Sequence, residues 1–451
     1  MGGEAAPRLL ERIRVGGLDP EDKTNMPDQP LPLAGVRVID ITHFLAGPYL
    51  TRCLAALGAE VIKVERPPAG EEARSHPYHV DGQSGYFLQQ NMGKRGVCLN
   101  LKEPRGLEVL RRMVRVSDVL VENYRPGVLD RLGLGYEELS GINPGLVYCS
   151  VSAYGHTGPH AGRAGYGLLA EARSGVMDLV GVPGERPPVL RLPIADGFAG
   201  IHGVAAVCAA LVGRHATGRG RHIDMALYDC MVALHEFAIQ HYTLSGGTDI
   251  LTRSGYDLPQ ATPYGVFTAR DGHVAIAAHM DGAWKRMARL MGGEALAADP
   301  RFHDTLGRNA HREEILRWIG AWVMAQPSVT ECVAALEAAE VPCAPVQRID
   351  QVVADPQVRA RGMLFEQEHP VLGRVTLPNV PFTFSDVDVT PRTPAPLLGQ
   401  HNREILCMIL GYSAAQVAEM ERDGVLHAEE AVGRLPGYPD ASESSPPLGR
   451  R

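Results

Sequence analysis

The chain has 451 residues, 45% hydrophobic and 21% charged, with 50 glycines and 34 prolines, a composition ordinary for a globular protein with room for two domains and a core in each. Its formal charge of −8 argues against a nucleic-acid partner, which needs a broad basic surface, but allows a small anionic ligand held by a few local arginines or lysines. No apolar run in the sequence reaches bilayer-spanning length (the best, IHGVAAVCAALVG, holds a histidine and two glycines), and the N-terminus lacks the apolar core of a secretory signal, so no membrane partner is expected.

Residues 1–30 are polar and punctuated by proline and glycine, which predicts a partly disordered extension. The ordered chain opens at LAGVRVIDI, a continuous apolar run suited to a buried strand. AGPYLTRCLAALG follows with helical period and a terminal glycine, then AEVIKVE as a second strand. The alternation repeats through RGVCLNL, the helix PRGLEVLRRMVRVS, DVLVEN and GLVYCSVSAYG. Strands alternating with amphipathic helices predict βαβ units and a mostly parallel, Rossmann-like α/β sheet over 31–225, completed by a returning segment at 346–426. A long helix is expected at 197–213. From 260 the texture changes: TPYGVFTARDGHVAIAAH reads as two strands around an Asp-Gly turn, and helices follow at 282–292, 311–325 and 329–340, giving a smaller α+β domain over 260–345. PVLGRVTLPNVPFTF reads as irregular β structure, and 427–451 as a disordered tail. Eight scattered cysteines, with no Cys-x-x-Cys pair, read as small buried hydrophobes in a reducing, cytoplasmic setting rather than as a disulfide or zinc framework, and no metal is expected.

The residues that point to chemistry gather near strand ends. Asp196 stands between the apolar VLRLPIA and a helical run. It reads as an N-cap, as a carboxylate at the carboxyl end of a strand where ligands of open α/β sheets bind, or as both. A carboxylate placed there, among Ala195, Gly197 and Gly200, suits covalent catalysis on a bulky substrate. The loop SAYGHTGPHAGRAGYG is glycine-rich but has no phosphate-loop spacing. Arg66 and Arg74, Lys94 and Arg95, and Arg125 and Arg131 lie near successive strands and are candidates to converge on an anion. His43, at the end of the first strand, is the histidine best placed to line a site.

Taken in order, LAGVRVIDITHFLAGPYLTRCLAALGAEVIKVERP, NMGKRGVCLNLK, SDVLVENYRPGVLDRLGLGYEEL, NPGLVYCSVSAYGHTGP, IADGFAGIHGVAAVCAALVGRHATGRG and APLLGQHNREIL resemble the class III coenzyme A transferases, the group that contains formyl-CoA transferase and carnitine CoA-transferase. The resemblance covers about residues 31 to 410. It implies an enzyme that moves coenzyme A from an acyl-CoA thioester to a free carboxylic acid, with no permanently bound cofactor. Asp196 would be the nucleophile, passing through an aspartyl anhydride and an aspartyl-CoA thioester. His43, Leu45, Ala46, Arg66, Arg131 and the turn at Asn123 would meet CoA or substrate, with Arg74, Lys94 and Arg95 as further candidates. An interlocked homodimer is implied as well.

Two positions depart from the family pattern. Gly167 stands where relatives usually carry a carboxylate, leaving Glu171, one turn on, and Tyr166 as auxiliary candidates. Leu45 stands where formyl-CoA transferases carry a glutamine that handles oxalate, so a less polar acid is the expected acceptor. Two alternatives stay open. An α-methylacyl-CoA racemase needs an acid and a base on opposite faces of the α-carbon, and its histidine position holds Tyr166 here. A non-catalytic acyl-CoA-binding subunit of a hetero-oligomer would not need Asp196.

Overall fold

A computed structural model describes residues 29–432 apart from Pro77; the extension predicted before residue 29 and the tail beyond 432 lie outside the described residues. The chain divides into two compact units. The larger takes the residues up to Gly165, Ala195–Cys230 and the chain from Gly362; the smaller takes Tyr166–Ile194 and Met231–Arg361. The smaller unit therefore also includes 166–194 and 231–259, outside the expected 260–345.

In the larger unit six strands form one sheet: β1 (Arg37–Asp40), β2 (Glu60–Glu65), β3 (Arg95–Cys98), β4 (Val119–Glu122), β5 (Val147–Ser152) and β6 (His222–Ala226). Their order is β3-β2-β1-β4-β5-β6, and every pairing is parallel. The chain thus winds outward from β1 to one edge, returns past it, and winds to the other. Where it reverses, between β1 and β4, the two connections leave in opposite directions and open a crevice at the carboxyl ends of the strands.

The sheet strands read as near-continuous apolar runs because helices cover them. Helix α1 (Ala46–Ala56) buries Leu50, Cys53 and Leu54 and stops at Gly58, whose φ of 102° ends the helix without steric cost. Helix α2 (Gly85–Asn91) is capped by Ser84, which accepts from the Phe87 N–H. Helix α3 (Pro104–Arg115) starts on Pro104, where the missing N–H is harmless, and turns Val109, Leu110, Met113 and Val114 into the core.

Helix α4 spans Ile194–Thr217, longer at both ends than the expected 197–213. Pro193 lies just outside its first turn, and Gly213 does not end it. By length and composition alone α4 could cross a membrane, although no apolar run of that length was expected. Its small residues pack on α1. A Cβ added at Gly200 would lie 2.7 Å from Tyr49 and 3.0 Å from the Ala46 carbonyl, and one at Gly203 would lie 2.3 Å from Leu50. Without side chains there, the two helix backbones approach closely.

The smaller unit has a three-stranded antiparallel sheet, β7 (Tyr264–Thr268), β8 (His273–Ala277) and β9 (Cys343–Pro345), in the order β9-β8-β7. Helices α5 (Asp281–Ala297), α6 (Arg312–Ala325) and α7 (Val329–Ala338) supply its core around Trp284, Phe302, Ile319 and Leu336. Back in the larger unit, the stretch expected as irregular β structure holds a regular strand, β11 (Gly373–Pro378), paired antiparallel with β10 (Leu364–His369). Residues 427–432, assigned to the tail, are placed: the His427 N–H donates to the Cys98 carbonyl and Val432 is fully buried. Their hydrogen bonds continue the edge of β3, a pairing too distant in sequence to anticipate.

Candidate active site

The crevice between β1 and β4 is built on charge buried beneath it. β1 ends at Asp40, which is fully buried although it follows an apolar run. Its carboxylate accepts from the Thr42 hydroxyl at 2.6 Å, the Thr51 hydroxyl at 2.6 Å and the Lys94 ammonium at 2.8 Å. Lys94 donates further to the Pro48 carbonyl at 3.0 Å and to Asn91 at 2.8 Å. Lys63, inside β2, donates to the Thr42 carbonyl at 2.5 Å and pairs with Glu71 at 2.9 Å. Burial alone would raise the Asp40 carboxyl, but the two lysines hold it well below the usual carboxylate range. Burial pulls Lys94 down to about 8 against the attraction of Asp40. Lys63 is held above its ordinary value, because Asp40 and Glu71 more than offset its burial. Such charges are tolerated only when paired and hydrogen-bonded, as these are.

On this foundation sits the turn that leads from β1 into α1. Asn123, just after β4, accepts the His43 N–H and donates to the His43 carbonyl, both at 2.8 Å; one amide thereby ties the two sides of the crevice together. The His43 ring lies edge-on to Tyr124 at 4.8 Å between centroids. Its Nδ1 is 3.4 Å from Glu72 without hydrogen-bond alignment. Burial, aided by the Lys63 charge, pushes the imidazole below its ordinary value, while Glu71 and Glu72 pull it back up. Phe44 follows at φ 61° with its N–H donated to Glu71 at 2.7 Å. Leu45 and Ala46, both buried, then start α1.

Asp196 lies in the first turn of α4, inside the helix rather than at its N-cap, and residues 188–193 form no strand. The strand-to-helix junction expected there is therefore absent. What places Asp196 is helix packing. Gly200, one turn on and on the same face, rests on the Ala46 carbonyl and Tyr49, which sets the Asp196 turn beside the start of α1. Half-buried Tyr86, at the start of α2, senses it: burial foremost, then the Asp196 charge, drives the Tyr86 hydroxyl well above its ordinary value. Tyr86 packs edge-on to His76 at 4.9 Å, and His76 lies 5.8 Å from Phe44.

His43, Leu45, Ala46 and Asn123 thus meet at one crevice, and Arg66 follows β2 at the same edge, 62% exposed and paired with Glu72. Arg131 is exposed near Gly127 in the connection after β4. Three of the basic candidates do not join them as free cations. Lys94 is sealed under α1 by its three oxygens. Arg74 forms a two-pronged pair with Glu65 at 2.8 and 2.7 Å and stacks 3.7 Å over the Phe87 ring. Arg95 opens β3 and pairs with Glu60 and Glu404 at the amino edge of the sheet, opposite the crevice. Tyr166, exposed, and Glu171, buried in the helix Gly167–Arg173, belong to the smaller unit. The sequence reading overlooked Asp40, Lys63, Glu71 and Tyr86. The first two were detectable in principle, since a charge set among the apolar residues of a sheet strand must find a buried partner.

Comparison with known proteins shows the family. The model of CoA-transferase family III matches residues 33–402. The chain is 36% identical over 392 residues to the succinate–glutarate CoA-transferase of Agrobacterium fabrum, covering 85% of this chain and 97% of that one. It is 34% identical to the succinyl-CoA:glutarate CoA-transferase of Mus musculus, covering 89% and 92%. Among solved structures, a CaiB/BaiF family protein from Brucella suis aligns with a TM-score of 0.75 at 37% identity, covering 84% of this chain and all of that one.

Proposed function

Since this chain belongs to CoA-transferase family III, an assignment that carries with it CoA transfer between an acyl-CoA and a carboxylate, we propose that Asp196 carries the transfer covalently. An Asp196 carboxylate oxygen attacks the donor's thioester carbonyl; the C–S bond breaks, leaving a mixed anhydride and CoA thiolate. The thiolate attacks the aspartyl carbonyl, releasing the donor acid and forming aspartyl-CoA. The acceptor carboxylate then runs both steps in reverse, regenerating Asp196 and the new thioester. Each step exchanges one activated acyl bond for another, so no external energy source enters.

The observation that carries this reading is the seating of Asp196 beside the start of α1 through Gly200, next to the crevice where His43, Leu45, Ala46 and Asn123 gather. In this reading Arg66 and Arg131 meet the CoA phosphates, and the buried start of α1 bounds the acyl group. The relatives' named pair, succinyl-CoA and glutarate, is the first to try, and Leu45 suits the carbon chain of such an acid better than compact oxalate does. The reading includes a homodimer, supported by large apolar side chains left exposed in the smaller unit, among them Leu192 (72%) and Leu244 (87%).

The test is intact-mass analysis after incubation with a panel of acyl-CoAs, quenched with hydroxylamine or borohydride, beside Asp196→Ala. A CoA-dependent adduct confined to wild type and mapped to Asp196 supports the proposal. Exchange of the α-proton with deuterated solvent and no adduct would replace it with racemisation, and binding with neither would leave a non-catalytic subunit.

A further inference from the structure

The turn at 42–45 is held with unusual completeness. Asp40 accepts the Thr42 N–H at 2.9 Å, Lys63 donates to the Thr42 carbonyl, Asn123 brackets His43, and Glu71 accepts the Phe44 N–H. Phe44 needs this support. A bulky residue at positive φ is strained, and such conformations persist only where the surroundings over-determine them. Glu71 is 2% exposed, and its second oxygen is braced by Lys63 at 2.9 Å and approached by Asn91 at 3.5 Å. Lys63 touches both ends of the strained step, one through the Thr42 carbonyl and the other through Glu71.

We infer that Glu71, braced by Lys63, is a positioning residue: it locks the left-handed turn at Phe44 and so fixes His43 on one side and the Leu45–Ala46 start of α1 on the other. Glu71 does not reach the reacting atoms; it acts through the backbone. Phe44 extends the effect sideways, because its ring leads through His76 to Tyr86, which feels the Asp196 charge. The consequence for turnover rests on the transferase reading, whereas the geometry of the turn does not.

The test uses the full chain as wild type, Glu71→Ala, Glu71→Gln and the double variant Phe44→Gly/Glu71→Ala. Two readouts are taken: amide hydrogen exchange over residues 41–47, and transfer between succinyl-CoA and glutarate. Glu71→Ala is expected to speed exchange in this segment and to lower kcat/KM by about tenfold to a hundredfold, the scale of a misplaced site. Glu71→Gln keeps an oxygen for the Phe44 N–H and falls between. Glycine adopts positive φ unaided, so Phe44→Gly should return part of the lost turnover, and of the protection at the neighbouring amides, to Glu71→Ala, although the amide at 44 itself stays without its Glu71 acceptor. The inference is overturned if Glu71→Ala exchanges like wild type over 41–47, or if the folded double variant is no better than Glu71→Ala. If wild type does not transfer between this pair, the choice of substrates fails instead, and the exchange data alone decide the role of Glu71.

Discussion

Glu122 offers a pH dependence whose sign and size follow from its surroundings. It closes β4 and is 3% exposed; its carboxylate accepts the Tyr124 N–H at 2.8 Å and the Ser150 hydroxyl. Ser150 in turn meets His222 at 2.9 Å, and a cavity of about 140 Å³ lined by Arg125, Asp130, His156 and His222 lies alongside. Burial foremost, with Asp130 and Asp224 adding negative charge and only partly countered by the two hydrogen bonds, raises Glu122 from 4.5 to about 7. Between those values the folded protein keeps a proton that the unfolded chain has lost, so stability falls as pH rises across the interval and levels off above it. At about 1.4 kcal/mol per pH unit, the interval bounds the effect at about 3 kcal/mol. Glu122→Gln copies the protonated form. Urea unfolding followed by circular dichroism should therefore find variant and wild type nearly equal near pH 5, with the variant more stable by up to about 3 kcal/mol near pH 8. Parallel stability curves across that range would refute the argument.

Three other perturbations have defined outcomes. Lys94→Met strips Asp40 of its closest cation while leaving it buried, with Lys63 3.8 Å away; chemical denaturation should show a loss of about 3–5 kcal/mol, recovered in part by adding Asp40→Asn. Gly203→Ala drives a methyl to 2.3 Å from fully buried Leu50; overpacking of about 1–3 kcal/mol set against about 1 kcal/mol of helix propensity predicts a lower melting temperature, and a rise would show that α4 and α1 are not packed as described. Asn123→Ala removes both hydrogen bonds to the His43 backbone, costing about 1–3 kcal/mol of stability; calorimetric titration with CoA should show weaker binding in proportion to the loosened crevice.

Local order was largely legible. The strands at VRVID, EVIKVE and DVLVE and the helix PRGLEVLRRMVR follow from apolar period, proline at the first turn and glycine at the stop, all short-range properties of the chain. The same holds for His43 and Asn123, which follow two strands of one parallel sheet, β1 and β4, and so had to reach its same edge. The basic residues show the limit. Arg66, Arg74, Lys94 and Arg95 look alike in sequence, yet only Arg66 stands free of burial at the carboxyl edge. Arg74 turns inward to Glu65, Lys94 goes under α1, and Arg95 starts a strand instead of ending one. Which carboxylate a cation finds depends on partners dozens of residues away.

Asp196 divides the two kinds of knowledge most clearly. Its residue type, its helical neighbours and the order of motifs around it single it out in the sequence alone, along with the α/β class and the family resemblance. Its surroundings come from contacts no local pattern encodes: Gly200 pressing on the Ala46 carbonyl, Tyr86 brought in from α2, and Lys63 with Glu71 bracing the neighbouring turn. Period and capping act within a few residues and survive in a string of letters. Close approach of two helices and the pairing of buried charges arise only when distant segments exclude water together, and those interactions decide which of the candidate residues come together.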